Sequence, residues 1–211
     1  MFGKLILQLD GSELERKKAK SVTGSCKVLG GTENLISIGE NSVFSGDIVI
    51  TGSGNKVVIG NNCDFNGKIT VKGDNQTVHF GDHSTAKRVS ILCQENCDVI
   101  IGKWCMLSRG IEIRTTDAHS IIDRATKART NLPGSVSIGA HVWIGANAMI
   151  SKGARIAADT VVGAGSFVNG QFDEESVLLA GVPAQIRKRG LTWSRSLKFN
   201  PARIDDWRED V

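Results

Sequence analysis

The run Thr115-Thr116-Asp117-Ala118-His119-Ser120-Ile121 sets a histidine among cations, with Arg109, Arg114, Arg124, Lys127 and Arg129 around it. An unperturbed imidazole titrates near pH ~6.5, so at neutral pH it can take the proton of a hydroxyl as the oxygen attacks a carbonyl. His119 is the histidine of this kind that stands out here. The ordinary alternative is one loop histidine out of four beside a solvated basic face. Asp117 either orients the imidazole through its second nitrogen or shapes a backbone turn. For an acidic ligand, Arg109, Arg114 and Arg124 are the expected carboxylate partners, with Lys127 and Arg129 beside them.

Five cysteines raise the question of metal or disulfide chemistry. Cys93 and Cys97 stand four apart without a second pair or a histidine at zinc-site spacing. Nor do His79, His83, His119 and His141 fall at spacings that suit the three-histidine zinc site of γ-type carbonic anhydrases. Cys63 and Cys105 share a column of small residues with Ser42 and Ser84, where cysteine acts as a small hydrophobe. Reduced structural cysteines and no metal are expected.

The elements that must position these residues are announced by an unusual period. Ile138, Ile144, Ile150, Ile156, Val162 and Val168 recur every six residues. A helix repeats its apolar face every 3.6 residues and a strand every 2, so a strict six requires a chain that turns a corner once per repeat. Small or β-branched residues, Val142, Ala148, Ala154, Thr160 and Ser166, stand four positions after each aliphatic and suit a tight corner. Upstream the dipeptides Ile38-Gly39, Ile59-Gly60, Phe80-Gly81 and Ile101-Gly102 are each 21 residues apart. Rows 36–56, 57–77, 78–98 and 99–119 stack Phe44 on Phe65, Ala86 and Leu107, with a weaker row around Lys27, Leu29 and Gly31 before them. Asn34 and Asn55 form one polar column, and Asn75, Asn96 and Asp117 another that suits corners with unusual backbone angles. The expected fold is all-β, a left-handed parallel β-helix over residues 1–189, with a loop at 118–135 extruded from the coil and a C-terminal tail at 190–211.

Composition agrees with a repeat protein: 24 glycines, 3 prolines and no tyrosine in 211 residues. A net charge of +4 without interleaved aromatic and basic residues gives no support to nucleic-acid binding. No apolar run reaches the ~18 residues of a membrane span, and Gln8 and Asp10 cut short the one near the start. A cytoplasmic protein is expected.

Three motifs carry a resemblance: Thr115-Thr116-Asp117-Ala118-His119, the repeat from Val136 to Gly145 containing Val142-Trp143-Ile144-Gly145, and Ala180-Gly181-Val182-Pro183-Ala184. Together they resemble hexapeptide-repeat acetyltransferases of the maltose and galactoside type, in which loop histidine and tryptophan are 24 residues apart, as His119 and Trp143 are. In layout the chain is closer to O-acetyltransferases of capsular polysaccharides, including polysialic acid, because it enters 21-residue coils without an opening helical segment. The resemblance implies acetyl-CoA as co-substrate, a carbohydrate acceptor, direct transfer with His119 as base, and a homotrimer with sites at subunit boundaries. It gives Trp143 a catalytic-site role, against the alternative of packing on a neighbouring subunit. It places the pantetheine arm along Gly145, Ala146, Gly163 and Ala164, and the cofactor phosphates near Pro183, Arg187 and Lys188. Within the same repeat family, nucleotide-sugar and antibiotic acetyltransferases are the alternatives, and a non-catalytic scaffold is the alternative outside it. Residues 1–35 lack the glycine-rich strand-to-helix fingerprint of a nucleotide-binding segment.

Overall fold

The computed structural model describes residues 5–209; residues 1–4 and 210–211, parts of the two spans predicted above, lie outside it. The six-residue period is realised as a three-sided parallel β-helix of about 8 turns. One side is an eight-stranded sheet, with strands Leu35–Ile38, Lys56–Ile59, Thr77–Phe80, Val99–Ile101 and Val136–Ile138 in succession. The other two sides form one continuous sheet in the upstream rows, because strands such as Val43–Thr51 and Asp64–Lys72 run around the corner between them.

The stacked columns are those the sequence predicts. Ile38, Ile59, Phe80, Ile101 and Ile138 pair in series, and so do Phe44, Phe65, Ala86, Leu107 and Ile144. All are buried, as are all six aliphatics of the downstream period. Phe44 stacks on Phe65 at 5.5 Å, and Phe65 meets Phe80 edge-on at 5.3 Å, so aromatics fill the upstream coils where β-branched and small residues suffice later.

Row length has a structural explanation. The extra residues of each 21-residue row make the turns at Gly52 and Gly73, beneath which Asn34, Asn55 and Gln76 are buried. Asn34 Nδ2 donates to the Gly52 carbonyl at 2.9 Å and Asn55 Nδ2 to that of Gly73 at 2.8 Å. Each asparagine oxygen accepts the backbone N–H of the next row, Asn55 at 2.9 Å and Gln76 at 3.0 Å. The small-residue column behaves likewise: Ser42, Cys63, Ser84 and Cys105 each donate to a glycine carbonyl of the row above, at 2.7, 3.2, 3.0 and 3.1 Å.

The corner column holds a correction. Asn75 and Asn96 adopt left-handed φ values of 56° and 55°, but in the next row Ala118, at 64°, takes that conformation and not Asp117. The corner between the second and third sides lengthens row by row, from Phe65 to Ile69, then Ala86 to Ile91, then Leu107 to Ile113. Each step adds one residue, with an extra residue inserted at Arg88, so the third side of the fourth row arrives one position late.

Past the last coil, Ala184–Arg189 folds back antiparallel on Val177–Gly181 and covers the open sheet edge. Residues 191–209 then return along the flank of their own coil. Trp193 and Trp207 clamp His141 between them at 4.5 and 4.8 Å. Arg195 donates to the carbonyls of His83 and Cys105, at 3.1 and 2.7 Å. The tail is thus a strap on the corner column His83–Trp104–His141, whose members all have φ between 54° and 61°.

Candidate active site

The chain leaves the coil after strand Glu112–Arg114 and rejoins it at Val136–Ile138, so the predicted loop is extruded from a corner. It is ordered by its own contacts. Ile122 and Arg129 form an antiparallel bridge. The Asp123 carboxylate accepts from the Thr126 N–H at 2.7 Å, its Oγ1 at 2.9 Å and the Ala125 N–H at 3.0 Å. These bonds, the Thr126 backbone first, hold that carboxyl below the usual range.

His119 is exposed at the base of this hairpin, and its imidazole has no hydrogen-bond partner among the described residues. Asp117 does not reach it. Its Oδ2 accepts from Lys152 Nζ at 2.6 Å and from Asn131 Nδ2 at 2.7 Å, bonds that bring the carboxyl below its ordinary value, Lys152 contributing most. The expected contact between Asp117 and the ring is therefore corrected: the carboxylate is committed to the next coil. Asn131, nearly buried, joins the two, donating also to the His119 carbonyl at 2.8 Å and accepting the Ile121 N–H at 2.7 Å.

The loop cations divide. Arg114 pairs with Glu112, and Arg129 pairs with Glu95, which also receives the Thr116 hydroxyl. Two of the predicted acceptor cations are thereby neutralised inside the chain, one of them as an anchor of the loop. Arg109, Arg124 and Lys127 are exposed and make no ion pair among the described residues.

Trp143 lies on the second side, in register with Met106 and Val161, with its indole Nε1 3.4 Å from Ser108 Oγ. Its ring meets Trp193 of the tail at 6.0 Å. Between them and Leu197, Phe199 and Ile204 lies a cavity of about 480 Å³. His119 does not line it.

The predicted cofactor strip is continuous. Register pairs Ile144 with Val162 and Val162 with Leu179, which aligns Ala146, Ala164 and Gly181 in one column of small residues. Arg187 Nε donates to the Ala180 carbonyl at 3.0 Å, bringing a guanidinium to the end of that column beside Pro183. Lys188 is exposed one position on. Gly145 and Gly163 serve the coil itself: a Cβ at Gly145 would meet the Ala164 nitrogen at 2.6 Å, and one at Gly163 would meet the Ala180 Cβ at 3.1 Å.

The four histidines are dispersed, His83 stacked on Trp104 at 4.1 Å and His141 in the tail clamp. Among the described residues no group of three His, Cys, Asp or Glu side chains could hold a metal ion. No helix among them is long and apolar enough to cross a membrane. The five cysteines are free and buried. Burial pushes the thiols of Cys26 and Cys63 up to about 11, and those of Cys93 and Cys105 to about 12.

Asn131, Lys152 and Glu95 escaped sequence reasoning. Their partners lie 10 to 35 positions away across an aperiodic loop, where spacing carries no signal.

Six-residue sides, left-handed corners and an extruded histidine loop define the class, and residues 135–170 match the family model for the bacterial transferase hexapeptide (six repeats). The fold is a left-handed β-helix, and the matched segment is similar to hexapeptide repeats. In particular the chain is similar to polysialic acid O-acetyltransferases. The polysialic acid O-acetyltransferase of Neisseria meningitidis is 34% identical over 116 residues, 55% of this chain and 54% of that protein. The crystal structure of the polySia-specific acetyltransferase NeuO has a TM-score of 0.86 at 25% identity, covering 99% of this chain and 91% of that one. That of the polysialic acid O-acetyltransferase OatWY has a TM-score of 0.85 at 28% identity, covering 98% and 99%. In sequence, the chain spans only 34% and 54% of the length of the first curated relatives it matches.

Proposed function

We propose that this protein is an acetyl-CoA-dependent O-acetyltransferase that moves an acetyl group to a hydroxyl of an acidic surface polysaccharide, with sialic acid polymers as the acceptor class. The observation that carries this reading is the likeness, over nearly the whole chain, to two solved polysialic acid O-acetyltransferases. His119 takes the proton of the acceptor hydroxyl as its oxygen attacks the thioester carbonyl. The tetrahedral intermediate then expels the coenzyme thiolate, which recovers the proton from the imidazolium. A donor aimed at the developing oxyanion is worth ~3 kcal/mol, and the coil-wall amides and the Trp143 indole are the candidates. Direct transfer is supported by the burial of every cysteine, since a thiol held at about 11 or 12 supplies almost no thiolate at neutral pH.

The small-residue column Ala146, Ala164 and Gly181 suits a pantetheine arm laid against it, and Arg187 with Lys188 suits the phosphates beyond. Arg109, Arg124 and Lys127 are the loop cations left for an acceptor carboxylate. Because His119 does not line the cavity beside Trp143, a threefold assembly that brings the loop of one subunit to the groove of the next is part of this reading. Exposed Ile121, Ile122 and Leu132 on that loop favour such a contact. The cytoplasm, which supplies acetyl-CoA and keeps thiols reduced, is the compartment this chemistry needs.

The test is acetyl-CoA-dependent thiol release against sialylated and neutral oligosaccharides, free sugars and nucleotide-sugars, with His119→Ala in parallel. Release that requires a sialylated acceptor and is lost in the variant is the expected result. Release with a neutral sugar alone removes the acidic acceptor, and an unaffected variant removes the base.

A further inference from the structure

We infer that Asn131 is a positioning residue for His119, holding the backbone of the histidine loop from inside. This rests on His119 being the base, as proposed above. An imidazole with no partner of its own is located only by the main chain that carries it. One buried carboxamide holds that main chain on both sides of the histidine, Asn131 Nδ2 donating to the His119 carbonyl at 2.8 Å and Oδ1 accepting the Ile121 N–H at 2.7 Å, while Nδ2 also donates to the side chain of Asp117 at 2.7 Å. Arg129 Nε also donates to Oδ1, at 3.3 Å.

The side-chain type is dictated by this pattern. Two donors and an acceptor on one short planar group describe asparagine; aspartate lacks the donors, and an aliphatic residue lacks both. The anchor behind it is firm on two sides. Lys152, on the following coil, holds Asp117 at 2.6 Å, and Glu95, on the preceding one, holds Arg129. Asn131 is where these two ties meet the histidine segment. The rest of the hairpin has supports of its own in the Asp123 turn, the Ile122–Arg129 bridge and the Arg129–Glu95 pair.

Asn131→Ala is therefore expected to lower kcat by about 10–100-fold, the usual effect of losing a supporting hydrogen bond behind a reacting group. KM for acetyl-CoA should stay unchanged, because the small-residue column lies on another part of the coil. Hydrogen exchange of the intact protein supplies a readout independent of turnover: the Ile121 amide loses protection in Asn131→Ala, while the amides of residues 123 to 130 keep theirs. Lys152→Met loosens the same network from the coil side and should give a smaller fall in kcat, which keeps the inference testable if the alanine variant is poorly folded. Unchanged kcat in both variants, or a rise in KM alone, overturns it. His119→Ala separates the two readings. Loss of turnover there with full kcat in Asn131→Ala refutes the positioning role and leaves the proposed function standing. Full turnover in His119→Ala refutes the base itself.

Discussion

Residues in this chain are tuned chiefly by burial and by hydrogen bonds to the next coil. Asp159 is the plainest case. Burial pushes its carboxyl up, yet hydrogen bonds from His141 at 2.8 Å, Thr192 at 2.7 Å and Ser176 at 2.9 Å outweigh that and bring it below its ordinary value. The sign follows from linkage: the stability this group contributes is complete above the unfolded value of ~3.9 and is lost as pH falls through the lower folded value. Acid titration followed by tryptophan fluorescence should accordingly leave the Trp193–His141–Trp207 clamp intact down to about pH 4. Asp159→Asn should loosen the clamp already at neutral pH, and coincident curves for the two proteins would refute the role. The buried thiols make a second prediction at this scale: none of the five cysteines reacts with a thiol reagent at neutral pH until the protein unfolds, as Cys63 and Cys105 are held at about 11 and about 12.

Elements here are coil sides, and their tolerance is set by how closely successive rows approach. A Cβ at Gly139 would meet the Ala158 nitrogen at 2.6 Å, which is main chain and cannot rotate away. Gly139→Ala should cost about 1–3 kcal/mol, with each kcal/mol lowering the melting temperature by roughly 2–4 °C in a chain of this size. Cys63→Ser should cost under about 1.5 kcal/mol, because Ser42 and Ser84 already make the same bond to a glycine carbonyl in the same column. Thermal melts of the two variants check both, and a larger loss in Cys63→Ser than in Gly139→Ala would contradict the column argument. The lengthening corner from Phe65–Ile69 to Leu107–Ile113 was hidden in the sequence. The residue added at each of the two steps moves no aliphatic out of the core, and the shift shows only as Ala118 taking the place expected of Asp117.

The whole molecule depends on what covers the coil. The end strand closes the sheet edge, and the strap at 191–209 covers the corner at His141 and one flank of Trp143. Removing residues 191–211 should leave the coil folded, raise the solvent exposure of Trp143 and lower the melting temperature. Fluorescence quenching by iodide measures the first effect, and unchanged quenching would mean that the strap does not shield that wall. Sedimentation of the unaltered protein should give three times the chain mass, as the proposed shared sites require. A monomer with full transferase activity would contradict that arrangement.

The coil rows, their columns, the extruded loop and the position of His119 are legible in the chain alone, because a β-helix writes its contacts at fixed sequence intervals. Residues 21 apart in the upstream rows, and three six-residue sides apart in the downstream coils, are spatial neighbours, so period is contact. The partners of Asp117, the neutralisation of Arg114 and Arg129, and the central place of Asn131 are not legible there. They belong to an aperiodic segment whose contacts cross irregular distances and are chosen by geometry alone. The path of the tail is of the same kind. Trp193 finds His141 across 52 positions, and only folding brings the two indoles of the strap onto opposite faces of one ring.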